Sequence, residues 1–136
     1  MITIQTKYLG DLRTESIHMQ SGQTLLTDAP LDNNGRGEAF SPTDLLAASL
    51  ATCMLTVMGI AARHYHIHIE ETTCSVIKVM AAEPRRVSAV YIEFNFPKGQ
   101  QYSNKEKAIL ERAALTCPVA KSVHPELLQQ VEFNFA

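Results

Sequence analysis

Apolar and polar residues alternate along 2–9, the period of a half-buried strand, and 14–20 form a second strand-like run. Ser21-Gly22 then predicts a turn into a third run at 23–27. Pro30, Asn33, Asn34, Gly35 and Gly37 mark residues 28–40 as a loop. Beyond it the pattern changes. Ser41 suits a helix N-cap, Pro42 the first helical position, and Asp44 the third, where its charge faces the positive helix end. From 45 to 62 almost every residue is apolar or small. A helix with no polar face is expected to be buried on all sides. Its Ala47, Ala48, Ser49, Ala51 and Thr52 permit close approach by another element. In so short a chain, complete burial is easier if a second protomer helps to cover it.

Residues 66–82 and 87–96 read as two long strands joined through Glu83-Pro84-Arg85-Arg86, with Val90, Ile92, Phe94 and Phe96 on one face. Ser103 and Glu106 have the spacing of a capping box, opening a helix that carries Ala108, Ile109, Ala113 and Leu115. Cys117-Pro118 starts a further short helix ending near His124-Pro125, and 130–135 alternates as a closing strand. Strands joined as hairpins and grouped apart from the helices predict an α+β fold. With no repeat, low-complexity tract or long linker, residues 1–136 are expected to form one domain.

Composition narrows the function more than the fold. A hydrophobic content of 46% over 136 residues supports a real core, in one protomer or shared by two. The net charge of −2 gives no electrostatic reason to expect nucleic acid or an anionic membrane as partner. No stretch holds the roughly 18 uninterrupted apolar residues of a membrane span, and the first residues lack the blocks of a signal peptide. Three irregularly spaced cysteines do not read as a secreted disulfide framework, so the cytoplasm is the expected compartment.

Those cysteines are the chain's main chemical resource. Cys53 lies about three turns into the apolar helix, beyond the useful range of that helix's dipole, so a reactive thiolate there needs an arginine from elsewhere. Taken alone it reads as core packing. Cys117, with Pro118 at the first helical position, is expected at an N-cap, where free backbone N–H groups can stabilise a thiolate. Cys74 alternates within a strand and reads as structural. Neither Cys53 nor Cys117 belongs to a CxxC pair, which leaves a zinc ribbon or thioredoxin-type motif unsupported. His64, His66 and His68 would share a face only if all three lay in one strand, and no thiol or carboxylate at diagnostic spacing completes a metal site. Ser49 lacks nucleophile-elbow glycines, and Gly35-Arg36-Gly37 is too short for a phosphate-binding fingerprint.

Ser41-Pro42-Thr43-Asp44-Leu45-Leu46-Ala47-Ala48-Ser49-Leu50-Ala51-Thr52-Cys53, followed later by Thr116-Cys117-Pro118-Val119-Ala120-Lys121, resembles the OsmC/Ohr family of hydroperoxide-reducing proteins along nearly the whole chain. The resemblance implies antiparallel sheets wrapped around a long buried central helix, in an intertwined homodimer with two active sites at the subunit interface. It implies that Cys53 attacks an organic hydroperoxide and becomes a sulfenic acid, and that Cys117 condenses with it to a disulfide. A dithiol, lipoyl or thioredoxin-like, then reduces that disulfide, and no metal, flavin or haem takes part. Arg13 is the best match to the arginine that activates the thiolate, with Arg36 in reserve. The pattern departs from the family at Thr43, where peroxidase members carry a glutamate that holds the arginine. Threonine cannot form that bidentate pair. Asp44, about 100° further round the helix, is the candidate replacement. The departure keeps open a non-enzymatic relative that binds a small apolar or reactive ligand at the dimer interface. A purely structural dimerisation module would explain the apolar helix but not Cys117-Pro118.

Overall fold

The computed structural model describes residues 1–135. Its elements, in chain order, are β1 (Ile4–Gly10), β2 (Arg13–His18), β3 (Thr24–Asp28), a single 3₁₀ turn (Leu31–Asn33), α1 (Pro42–Tyr65), β4 (Thr73–Ala81), β5 (Arg86–Asn95), α2 (Asn104–Leu115), α3 (Pro118–Ser122) and β6 (Leu128–Asn134). Two three-stranded sheets, ordered β1-β2-β3 and β4-β5-β6, make the fold α+β. The chain divides into two compact units, Met1–Leu46 and Ala47–Ala136.

In the first unit, β1 and β2 are joined by Asp11 and Leu12, both left-handed at φ 52° and 62°. Positive φ at both central residues is the requirement of the tight hairpin turn whose twist matches its strands. Gly10, at φ 89°, sits at the adjoining bulge, where a side chain would be strained. β2 and β3 pair antiparallel with Ile17 opposite Thr24 and Arg13 opposite Asp28. The connection is therefore longer than a Ser21-Gly22 turn, closing where the His18 N–H donates to the Gln23 carbonyl at 2.8 Å. Asp28, expected in the loop, is the last residue of β3. The loop after it folds back so closely that a Cβ on Gly35 would lie 1.7 Å from the Ala29 carbonyl oxygen.

α1 begins as its sequence predicts. The Asp44 N–H donates to Ser41 Oγ and the Ser41 N–H to Asp44 Oδ2, both at 3.0 Å, a reciprocal cap. Leu50, Met54 and Met58 are fully buried, but Ile60 is 65% exposed and Thr52 and Thr56 face outward. The helix is thus buried along one side only within a single chain, not all round. By length and composition it also matches a membrane span, with mean hydropathy 2.0 over 18 residues, a test that core helices pass as well.

The strand expected from residue 66 begins only at Thr73. His66, at φ 57°, is a left-handed helix cap. The Ile67 N–H donates back to Ala62 O at 2.8 Å and the His66 N–H to Arg63 O at 3.4 Å, satisfying the last carbonyls before Ile67 tucks into the core. The other correction concerns direction. β4 and β5 form the expected antiparallel hairpin, whereas β6 runs parallel to β5, because α2 and α3 carry the chain back to the end where β5 began. Val90, Ile92 and Phe94 from β5 form the buried centre of the second unit with the inner side of α1, and Phe94 stacks on Phe133 at 5.5 Å.

Candidate functional site

α1 and α3 present the two candidate thiols to each other. Cys53 is half-buried on α1, and Cys117 is fully buried as the N-cap of α3. The two thiols belong to one packed cluster, close enough for Cys53 to influence Cys117, and both are free. The local chemistry that puts Cys117 there is legible. Pro118 removes an N–H donor and holds its neighbour extended, so α2 must end and a new helix begin. Cys117, at φ −65° and ψ 148°, caps that new helix, its Sγ accepting the Ala120 N–H at 3.3 Å. The N–H groups of this cap do favour a thiolate, but they are outweighed. Burial pushes the Cys117 thiol above its ordinary value, the Ala120 and Val119 N–H groups pull the other way and lose, and the neighbouring Cys53 thiol raises it further. Cys117 is a protonated thiol held against a more accessible one. Cys74, on β4, is also raised by burial, in line with its structural reading.

Arg13 belongs to the first unit. The turn at Asp11-Leu12 fixes where β2 starts, and the β2–β3 register puts Asp28 directly opposite Arg13. Arg13 Nε donates to Asp28 Oδ1 at 2.7 Å and Nη2 to Oδ2 at 2.8 Å, a side-on bidentate pair. The Glu38 backbone N–H adds a third donor to Oδ2 at 3.1 Å, and the Glu38 carboxylate lies 4.0 Å from Nη2. The hydrogen-bonded guanidinium holds the Asp28 carboxyl below the usual carboxylate range against the opposing effect of desolvation, and Arg13 is raised in turn by Asp28.

The carboxylate that grips Arg13 is thus Asp28, a residue the sequence reading assigned to a loop. The signal that could have found it is the register. A two-residue turn at Ser21-Gly22 sets Asp28 against Glu15, whereas the observed pairing sets it against Arg13. Asp44 is engaged in the cap of α1, and Thr43 Oγ1 lies 3.2 Å from Ser41 Oγ. Arg36, the reserve arginine, pairs with the exposed Asp11 at 3.0 Å. His64 lies in the last turn of α1, His66 occupies its left-handed cap, and His68 pairs with Glu70 at 2.8 Å, so the three share no strand face. Among the described residues no cluster of three or more histidines, cysteines and carboxylates could hold a metal ion.

Comparison with known proteins shows the family and the fold. Residues 35–131 match the family described as OsmC-like protein. A solved protein of Psychrobacter arcticus 273-4, named for an osmotic stress induced and detoxification response, is 56% identical over 98% of this chain and 96% of its own, with a TM-score of 0.94. An organic hydroperoxide resistance protein OsmC from Legionella pneumophila is 18% identical, covers 98% of each chain and has a TM-score of 0.74. One from Elizabethkingia anophelis is 16% identical over 98% of this chain and 96% of its own, also with a TM-score of 0.74. At those identities the last two speak for the fold alone. No protein with a curated description matches the chain.

Proposed function

Since this chain belongs to the OsmC-like family, we propose that it reduces organic hydroperoxides through a Cys53 sulfenic acid and a Cys53–Cys117 disulfide. The observation that carries this reading is that two free thiols from distant parts of the sequence come together in one packed cluster. Their difference in exposure supports the division of labour. Cys53 is the more accessible and attacks; Cys117, buried and protonated, waits to resolve.

In the first step the Cys53 thiolate forms an S–O bond to the peroxide and the O–O bond breaks. The alkoxide leaves with a proton as the alcohol, and the sulfur is oxidised to the sulfenic acid. Cys117 then attacks that sulfur; the S–S bond forms and the hydroxyl departs with the thiol proton as water. A dithiol reductant, lipoyl or thioredoxin-like, returns both thiols by exchange. Arg13 is assigned to the thiolate and to the charge developing on oxygen, and Asp44 supports the site indirectly by capping the helix that carries Cys53. The working form is a homodimer, consistent with exposed apolar side chains such as Ile4, Leu25 and Ile60. Three free cysteines accord with the reducing cytoplasm.

The test is hydroperoxide consumption with a dithiol as reductant. Wild type should turn over and Cys53→Ser should not. One equivalent of peroxide should yield a Cys53–Cys117 disulfide in peptide mapping, and Cys117→Ser should leave a sulfenic acid that over-oxidises under excess peroxide. A wild type that does not consume peroxide shifts the reading to a non-enzymatic protein binding a small apolar or reactive ligand.

A further inference from the structure

Asp28 is a side chain at 0% exposure beside a guanidinium that is 21% exposed. A buried carboxylate is costly unless charged and hydrogen-bonded partners surround it. Here one oxygen takes Nε, and the other takes Nη2 and the Glu38 N–H. The geometry of the grip matters. A pair made through Nε and Nη2 fixes both the plane of the guanidinium and its direction, and Nη1 takes no part in it.

We infer that Asp28 is the positioning residue for Arg13, doing from the neighbouring strand what a carboxylate at position 43 would otherwise do. The inference rests on the peroxidase reading above. A free arginine side chain samples many rotamers, and the entropy of ordering it opposes catalysis. Arg13 is held at both ends instead. Its backbone is set by the left-handed pair Asp11-Leu12 and by the ladder to β3, and its guanidinium is set by Asp28. The positive charge is therefore oriented before a peroxide arrives, with Nη1 available to an anionic sulfur or oxygen. Arg36 lacks this arrangement, since its Asp11 partner is 80% exposed and holds it through one amino nitrogen.

The experiment follows Cys53 alkylation by iodoacetamide against pH, together with kcat/KM for cumene hydroperoxide. Asp28→Asn keeps the size and an acceptor but loses the charge. It should lower kcat/KM by about 10- to 100-fold, the scale of a misplaced catalytic group, and move the alkylation profile to higher pH. Asp28→Glu should recover much of both. In an Arg13→Ala background, Asp28→Asn should have no further effect, because the residue acts only through the arginine. An unmoved alkylation profile in Asp28→Asn, additive effects of the two substitutions, or no recovery in Asp28→Glu would overturn the inference. If Asp28→Asn does not fold, Arg13→Lys decides: it retains the charge without the fork and should shift the profile upward, and a wild-type profile refutes the clamp. Failure of the peroxidase reading is distinguishable, since it appears as a wild type that alkylates but does not consume peroxide.

Discussion

The two compact units solve the problem of burial in opposite ways. Among the described residues, every buried hydrophobic side chain belongs to the second unit, from Ala47 to Cys117, and the three buried polar ones, Thr27, Asp28 and Ser41, all belong to the first. The first unit instead exposes Ile4, Tyr8, Leu9, Leu25 and Leu26 along its sheet. A three-stranded sheet whose apolar side chains stay exposed gains little from folding alone. Its order comes from ladder hydrogen bonds, tight turns and the Arg13–Asp28 pair, and the second unit's comes from close-packed aromatic and aliphatic groups.

The contrast can be broken most forcefully in the core. Phe94→Ala should cost about 3–5 kcal/mol in a urea titration, because the ring is fully buried against Phe133. An equally large truncation at the exposed Leu25 should cost far less per protomer unless the sheet is covered by a second copy. That condition sets the next test. If the apolar sheet and Ile60 are covered in a homodimer, each tenfold dilution should remove about 1.4 kcal/mol of apparent stability, and a stable folded 15.1 kDa species in sedimentation would contradict it. Ser103→Ala should lower the unfolding free energy by about 1 kcal/mol, since it deletes one half of the capping box on α2.

The finest test reads a slope and not a total. Asp28 has a lowered folded-state pKa, so its contribution is complete above the unfolded carboxylate value of about 3.9 and is lost as pH falls through the folded one. Wild type should therefore lose stability more steeply than Asp28→Asn between about pH 4 and pH 2. Parallel acid limbs would show that the pair contributes nothing to folding. Cys117 gives the opposite sign. Its raised value means that stability present at neutral pH declines as pH rises above about 8.5, and Cys117→Ser should flatten that limb.

Several features were readable because their causes are local. The caps at Ser41 and Ser103, the strand β5, and the break at Cys117-Pro118 each depend on residues within one or two turns of each other, and all appear as expected, whereas β1 forms a strand whose residues before Gly10 are all exposed instead of half-buried. The strand predicted from residue 66 failed because the alternation of His64, His66 and His68 carried no information about the left-handed cap that ends α1. Likewise, the apolar helix signalled that it needs cover without saying how much one chain provides.

The sequence by itself determined the α+β order of elements and the pair of cysteine motifs, since both are written in short-range periodicity and spacing. Tertiary structure decided which thiol is buried, which way β6 runs and which carboxylate holds Arg13. Each of these turns on a non-local quantity. The Cys117 thiol is set by a contest between two backbone N–H groups and the desolvation imposed by everything packed around it. The Arg13–Asp28 pair exists because the β2–β3 connection closes in one register and not another, and a slip in that register would have met Asp28 with a like charge.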